Sequence, residues 1–479
     1  MMPHLAAVLP EIVVLASACI VLVADLFVPQ ERRAITFWLT QAGLLVALVA
    51  VVATAQIVPV KVFGGMVVAD LLGGVLKLFA VVAVSLMLFY ARGHLAARGL
   101  YRGELFVLTL FSLLGMMVMM SGANLVTLYL GLELMSLAFY ALVALRRDVA
   151  APSEAAMKYF VLGALASGML LYGFSMLYGA TGSLDLDAIA QATLDAGTGR
   201  TFLVLGLVFV VSGIAFKLGA VPYHMWLPDV YHGAPTPVTL LVGTAPKLAA
   251  FAFTLRLLAG ALKGLEFDWQ GMLIVLSLLS MVLGNLIAIA QVNLKRMLAY
   301  STIAHMGFML LGFLAADLNG FSAAMFYAVA YVLMSLVAFG MILLLSRDGF
   351  EADLLDDFRG LNRRSPWWAF VMLLAMFSLA GIPPTIGFYA KFAVIEAVVN
   401  QGFVWLAVVA VLSSVVGAFY YLRVVKLMYF DDPTDTAPIV APGDARVLLS
   451  ANGLLLLVLG IAPQILMGLC TLAVTQSHF

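Results

Sequence analysis

The sequence predicts an all-α polytopic membrane protein of about fourteen transmembrane helices, with two five-helix units in inverted order that each contain a broken helix. Three observations predict it. Of 479 residues, 64% are hydrophobic and only 10% charged, whereas a globular domain is about half apolar and about a quarter charged. The apolar residues fall in runs of the roughly 20 residues that a helix needs to cross a hydrocarbon core about 30 Å thick. Two of these runs are too long for one straight crossing and carry Gly–Pro interruptions.

Taken in order, the runs begin with 5–27, 36–56 and 70–92, which form an N-terminal group within residues 1–103. The first holds Pro10 and Glu11 and lacks a small-residue cleavage pattern, so it is expected to be retained. A first five-helix unit, 104–260, takes runs 104–121, 124–146, 157–180, 201–220 and 237–260. A second, 271–428, takes 271–292, 297–315, 320–345, 366–399 and 403–422, and a last helix covers 445–468. Basic loops stay on the cytoplasmic side. With the N-terminus outside, the inner ends receive most Lys and Arg, including Arg32, Arg33, Arg146, Arg147, Lys295 and Arg296. The outer side receives only Lys61, Arg200, Arg256 and Lys263. Both termini are therefore expected outside. Trp226, Trp269, Trp367, Trp368 and Trp405 near span ends are expected as interfacial anchors.

The long segments 201–236 and 366–399 would each reach about 50 Å as continuous helix. The first contains Lys217-Leu218-Gly219-Ala220-Val221-Pro222 and Gly233-Ala234-Pro235-Thr236-Pro237, the second Gly381-Ile382-Pro383-Pro384. Proline removes a donor and clashes with the preceding turn, so breaks are predicted near 217–236 and 381–391. The two segments lie five crossings apart and hence run in opposite directions, as inverted repeats require.

Equal numbers of basic and acidic residues, 25 each, give no attraction to nucleic acid. Cys19 and Cys470 lie far apart, and zinc or iron–sulfur centres use three or four ligands. No metal site and no cofactor is expected in this chain. What remains is charge inside the membrane, which costs at least about 2.5–3.5 kcal/mol per group and needs a partner, water or a function. Glu133 lies near the middle of its run, and Lys247 at a similar depth. Lys217 directly precedes the first break. Lys391 follows the second, where the counterpart of Lys217 is expected. A carboxylate whose distance from a buried lysine changes makes a proton switch; the bland alternative is a static ion pair. Lys158, near Arg146 and Arg147, is a lesser relay candidate and a possible partner of Glu133, or simply snorkels. His305, inside a run, is the other lesser candidate. Lys77 is left to packing.

The strings Phe216-Lys217-Leu218-Gly219-Ala220-Val221-Pro222-Tyr223-His224-Met225-Trp226-Leu227-Pro228-Asp229-Val230-Tyr231-His232-Gly233-Ala234-Pro235-Thr236-Pro237 and Asn293-Leu294-Lys295-Arg296-Met297-Leu298-Ala299-Tyr300-Ser301-Thr302-Ile303-Ala304-His305-Met306-Gly307 resemble the antiporter-like membrane subunits of respiratory complex I. The likeness covers nearly the whole chain. It implies a proton-translocating translocase subunit of a bacterial inner membrane, without a redox centre of its own. NAD, FMN, iron–sulfur clusters and quinone would belong to partner subunits, and other antiporter-like chains and the lipid bilayer would be its neighbours. The resemblance also implies a Glu133–Lys217 pair, Lys247 as a bridge between half-channels and Lys391 as the lysine of the second half. A cation/proton antiporter subunit is the alternative.

Overall fold

The structure is a computed structural model that describes residues 2–195, 200–435, 437–439 and 441–477. The short α1 (Met2–Ala7) leads into α2 (Leu9–Asp25) and α3 (Ala34–Ala53), and a small hairpin of β1 (Val60–Val62) and β2 (Val67–Ala69) precedes α4 (Leu71–Ala97). There follow α5 (Gly103–Ser121), α6 (Leu125–Val143), α7 (Ala150–Thr181), the short α8 (Leu186–Leu194), and α9 (Arg200–Leu218). Next come α10 (Trp226–Gly233), α11 (Thr236–Gly243), α12 (Pro246–Leu255), α13 (Glu266–Ile289), α14 (Leu294–Leu314) and α15 (Leu318–Leu345). A four-residue α16 (Leu361–Arg364) precedes α17 (Pro366–Ala380), α18 (Ile386–Asn400), α19 (Val404–Phe430), α20 (Gly443–Ile461) and α21 (Gln464–Thr475). Among the described residues, 12 helical segments are long and apolar enough to cross a membrane. The helix Leu9–Asp25 and the pair α17–α18 bring the crossings to about fourteen, the number expected.

Both predicted breaks are present and are built alike. Helix α9 stops at Leu218, with Gly219 at φ +80° and the Ala220 amide bonded back to the Ala215 carbonyl. Helix α17 stops at Ala380, with Gly381 at φ +83° and the Ile382 amide bonded back to the Phe377 carbonyl. Each is a left-handed glycine cap closing a Schellman-type end. A third interruption lies inside what reads as the single run 237–260: α11 ends at Gly243, and α12 restarts at Pro246. Proline is tolerated in the first turn of a helix and disrupts it deeper in, so the helix restarts there.

The two halves also share their caps. Asn124 opens α6 by accepting the Val126 amide, and Asn293 opens α14 by accepting the Arg296 amide. Each sits in an isolated antiparallel bridge, Asn124 to Asp185 and Asn293 to Leu354, and one sequence offset carries the first bridge onto the second. Helix α5 packs along α6, and α13 along α14. Backbones touch where glycine allows close approach: a Cβ on Gly115 would lie 2.4 Å from the Met135 nitrogen, and one on Gly284 would lie 2.7 Å from the Ala304 nitrogen. The core lies along α15, whose most apolar stretch is entirely buried, as is that of the α11–α12 segment.

The tryptophan expectation holds only in part. Trp367 and Trp405 are exposed, but Trp226, Trp269 and Trp368 are buried. Trp226 and Trp269 donate to the Phe216 and Leu262 carbonyls, because an indole nitrogen taken out of water must find an acceptor.

Candidate functional site

Glu133 sits on α6, partly exposed, and accepts a hydrogen bond from Ser167 of α7. Lys217, on the last turn of α9, donates 2.8 Å to Ser136, one turn along α6 from Glu133. Its ammonium lies within electrostatic reach of Glu133, but no ion pair joins the two. The two charges of the implied pair are thus within reach of each other without a direct contact. Ser167 thus partners the carboxylate and Ser136 the ammonium. Sequence reading missed both serines; single hydroxyls in apolar helices give no signal until a partner 34 or 81 residues away is known.

Lys247 is 1% exposed and occupies the first turn of α12, directly after the third break. A cation at a helix N-terminus faces the positive end of the dipole. The side chain offsets this by donating 3.1 Å to the Leu218 carbonyl, the last residue of α9. Lys391, on α18, donates 2.8 Å to the Ala380 carbonyl, the last residue of α17, and 2.9 Å to Ser414 of α19. Each lysine thus caps the carbonyl end of a half-helix at its break, where orphan carbonyls gather. Lys217 lies on the half-helix before its break and Lys391 on the one after, so Lys391 matches Lys247 in what it binds. Aromatic faces complete both sites: the Trp226 ring centre is 5.8 Å from the Lys247 nitrogen, and the Phe308 ring centre is 4.9 Å from the Lys391 nitrogen.

His305 is buried on α14, with Nδ1 2.7 Å from the Tyr327 hydroxyl and Nε2 3.1 Å from the Tyr421 hydroxyl. One turn earlier, Thr302 meets the Tyr331 hydroxyl at 2.7 Å, and Ser301 meets Tyr421. The hydroxyls and imidazole make a hydrogen-bonded array in the centre of the fold. Lys158 does not join it. Its amine lies 2.8 Å from both Asp229 and Glu154 at a part-exposed helix face, so the pairing with Glu133 is corrected. The length of its side chain lets it reach these acids at the surface.

Two buried pairs fall outside the predicted set. Lys77 lies 2.6 Å from Glu11, which also accepts from Ser121. Arg256, assigned to the outer loops by sequence, is 2% exposed and lies 3.0 Å from Asp70. It also donates to the Met120 carbonyl at 2.7 Å. Lys295, likewise read as a loop-end residue, is buried and donates 3.3 Å to the Ala234 carbonyl. Run boundaries alone cannot distinguish a snorkelling cation from one folded back inward. Among the described residues, no group of three or more His, Cys, Asp or Glu side chains is placed to hold a metal ion.

Residues 122–417 match the family described as NADH:quinone oxidoreductase/Mrp antiporter, transmembrane. The chain is 62% identical to NADH-quinone oxidoreductase subunit N of Thiobacillus denitrificans, over 98% of each chain. The chain belongs to this NADH:quinone oxidoreductase/Mrp antiporter family. The subunit N of Methylovorus glucosotrophus is 58% identical, again over 98% of each chain. Among solved structures, a chain of respiratory complex I from Thermus thermophilus with bound aureothin superposes with a TM-score of 0.81 at 34% identity. That match covers 96% of this chain and 98% of the other. The segment that matches the NADH:quinone oxidoreductase/Mrp antiporter family holds Glu133, Lys158, Lys217, Lys247, His305 and Lys391, whereas Glu11, Asp70 and Lys77 precede it.

Proposed function

We propose that this chain is a proton-translocating, non-redox membrane subunit of an NADH:quinone oxidoreductase, working through Glu133, Lys217, Lys247 and Lys391. The observation that carries this reading is the buried lysine at each interrupted helix. Lys247 and Lys391 bind the terminal carbonyls of α9 and α17, where a small change at the break alters the stability of the charge. Driving one proton against the membrane potential costs about 2.3 kcal/mol per 100 mV, and one pKa unit is about 1.4 kcal/mol. Changes of a few units at such sites therefore match the load.

His305 and its tyrosines serve as a relay between the two halves, and Lys158 serves none. NAD, FMN, iron–sulfur clusters and quinone belong to partner subunits, and other antiporter-like chains flank this one. The chain sits in a bacterial inner membrane with both termini on the periplasmic side. Residues 1–103, 104–260, 271–428 and 445–468 are its N-terminal group, its two inverted units and its last helix; the shared Asn124 and Asn293 bridges support that division.

The test is Lys247→Ala in the assembled complex, reconstituted in vesicles. NADH-driven proton uptake is expected to fall by at least about tenfold, since a side chain without charge cannot carry the proton. Normal pumping by an assembled Lys247→Ala complex would refute the reading.

A further inference from the structure

A cavity of about 500 Å³ opens between α4, the end of α15 and the start of α20, lined by Tyr90, His94, Ser346, Arg347, Asp348 and Pro442 among others. It lies at the end of the molecule where the basic residues gather, so the orientation proposed above puts it on the inner, cytoplasmic side. His94 forms part of its wall, with a side chain only 1% exposed. The ring Nε2 lies 3.2 and 3.3 Å from the two carboxylate oxygens of Glu351, in the loop after α15. The other nitrogen, Nδ1, is buried without a partner.

The groups around this pair come from four elements. Arg98, which caps the end of α4, lies 2.7 Å from the Glu351 carboxylate, and Thr236, which opens α11, donates to it. Lys295 of α14 lies within electrostatic reach of Glu351, Asp353 and Arg98. Burial alone would raise the Glu351 carboxyl, but the His94 hydrogen bond, the Lys295 charge and the Thr236 hydrogen bond lower it. Glu351 is thus a permanent anion at working pH. A permanent acceptor at Nε2 keeps the proton there, which leaves Nδ1 as a lone pair able to take a proton.

We infer that this cavity is the mouth through which the subunit takes up protons from the inner side, with His94 as the first group to bind them and Glu351 as its positioning carboxylate. The inference rests on the proton-translocating reading above. A proton from cavity water adds to Nδ1, and the imidazolium so formed is held by the Glu351 carboxylate. From this corner α14 leads inward. Lys295, Thr302 and His305 are spaced along it at seven and three residues, which keeps them near one face over about 15 Å. Thr302 and His305 carry the Tyr331 and Tyr327 hydroxyls with them. A latch between helices would need no unpartnered ring nitrogen on a residue that walls a cavity, and no polar stripe leading from it.

The test uses the complete complex in vesicles, with proton uptake and NADH oxidation followed between about pH 6 and about pH 8, a hundredfold range of proton supply. His94→Gln and His94→Ala are expected to slow uptake by about tenfold near pH 8, with the deficit shrinking to about twofold near pH 6. Glu351→Asp, which keeps the anion, is expected to stay within about twofold of wild type throughout. If His94→Ala fails to assemble, His94→Gln decides, since an amide still bonds to Glu351. Wild-type uptake by His94→Gln at every pH overturns the inference, and so does a deficit that is equal at every pH. Lys247→Ala in the same preparation separates the two readings. Normal pumping by it removes the function itself, whereas its loss beside a normal His94→Gln removes only the uptake mouth.

Discussion

Lys391→Arg isolates proton transfer from charge. In the structure the Lys391 stem runs against the second break, so that a Cβ on Gly381 would lie 2.9 Å from its Cδ. Its ammonium reaches the Ala380 carbonyl at 2.8 Å and Ser414 at 2.9 Å. A guanidinium offers five donors, so arginine keeps both bonds and the positive charge. What it loses is the neutral state. With a pKa above about 12, deprotonation near neutrality costs at least about 7 kcal/mol at about 1.4 kcal/mol per unit, a population below about one in 10⁵. If Lys391 passes a proton in each cycle, the arginine complex should assemble fully yet pump almost as poorly as Lys391→Ala. The assay is NADH-driven acidification of inverted membrane vesicles, normalised to the amount of complex. Wild-type pumping by the arginine variant would reduce Lys391 to a fixed charge and take it out of the path.

Glu133→Gln is expected to uncouple pumping more than Glu133→Asp, because the amide keeps a partner for Ser167 but has no charge for Lys217 to sense; equal pumping by both would sink the switch. Arg256→Ala strands the fully buried Asp70 carboxylate, at a cost of about 3–5 kcal/mol, and should reduce the fraction of complex that assembles on a native gel. For Glu351, held at about 2 against the usual 4.5, the stabilisation is complete above about pH 4.5 and is lost as pH falls towards about 2. The difference in unfolding temperature between wild type and Glu351→Gln should therefore be flat from about pH 7 to about pH 5 and collapse below; a difference that persists in acid would contradict it.

The helices and two of the breaks were legible because the membrane enforces them: about 20 apolar residues per crossing, and Gly with Pro where the backbone must stop. Gly219 and Gly381 are read correctly for that reason. The break at Thr244 escaped because Pro246 stands at the start of a half-helix inside an otherwise unbroken apolar run. Lys217, Lys247 and Lys391 were legible as charges in the wrong solvent. Their partners were not, since a carbonyl made free by a break belongs to no residue type: Leu218 and Ala380 offer backbone oxygen that any amino acid could supply. His94 and Glu351 stayed hidden because each reads alone as an ordinary residue near a span end, and 257 residues separate them.

The two partners of the Lys391 amine imply an economy of donors. An ammonium has three N–H groups, and here the Ala380 carbonyl and the Ser414 hydroxyl take two. A neutral amine keeps two. The group can therefore shed its third hydrogen and leave neither oxygen bare in a low-dielectric interior, where an unmet polar atom costs about 1–3 kcal/mol. If Lys391 carries a proton as proposed, loading and unloading need no rebuilding of the contacts at the break, and the spare hydrogen is the one to travel.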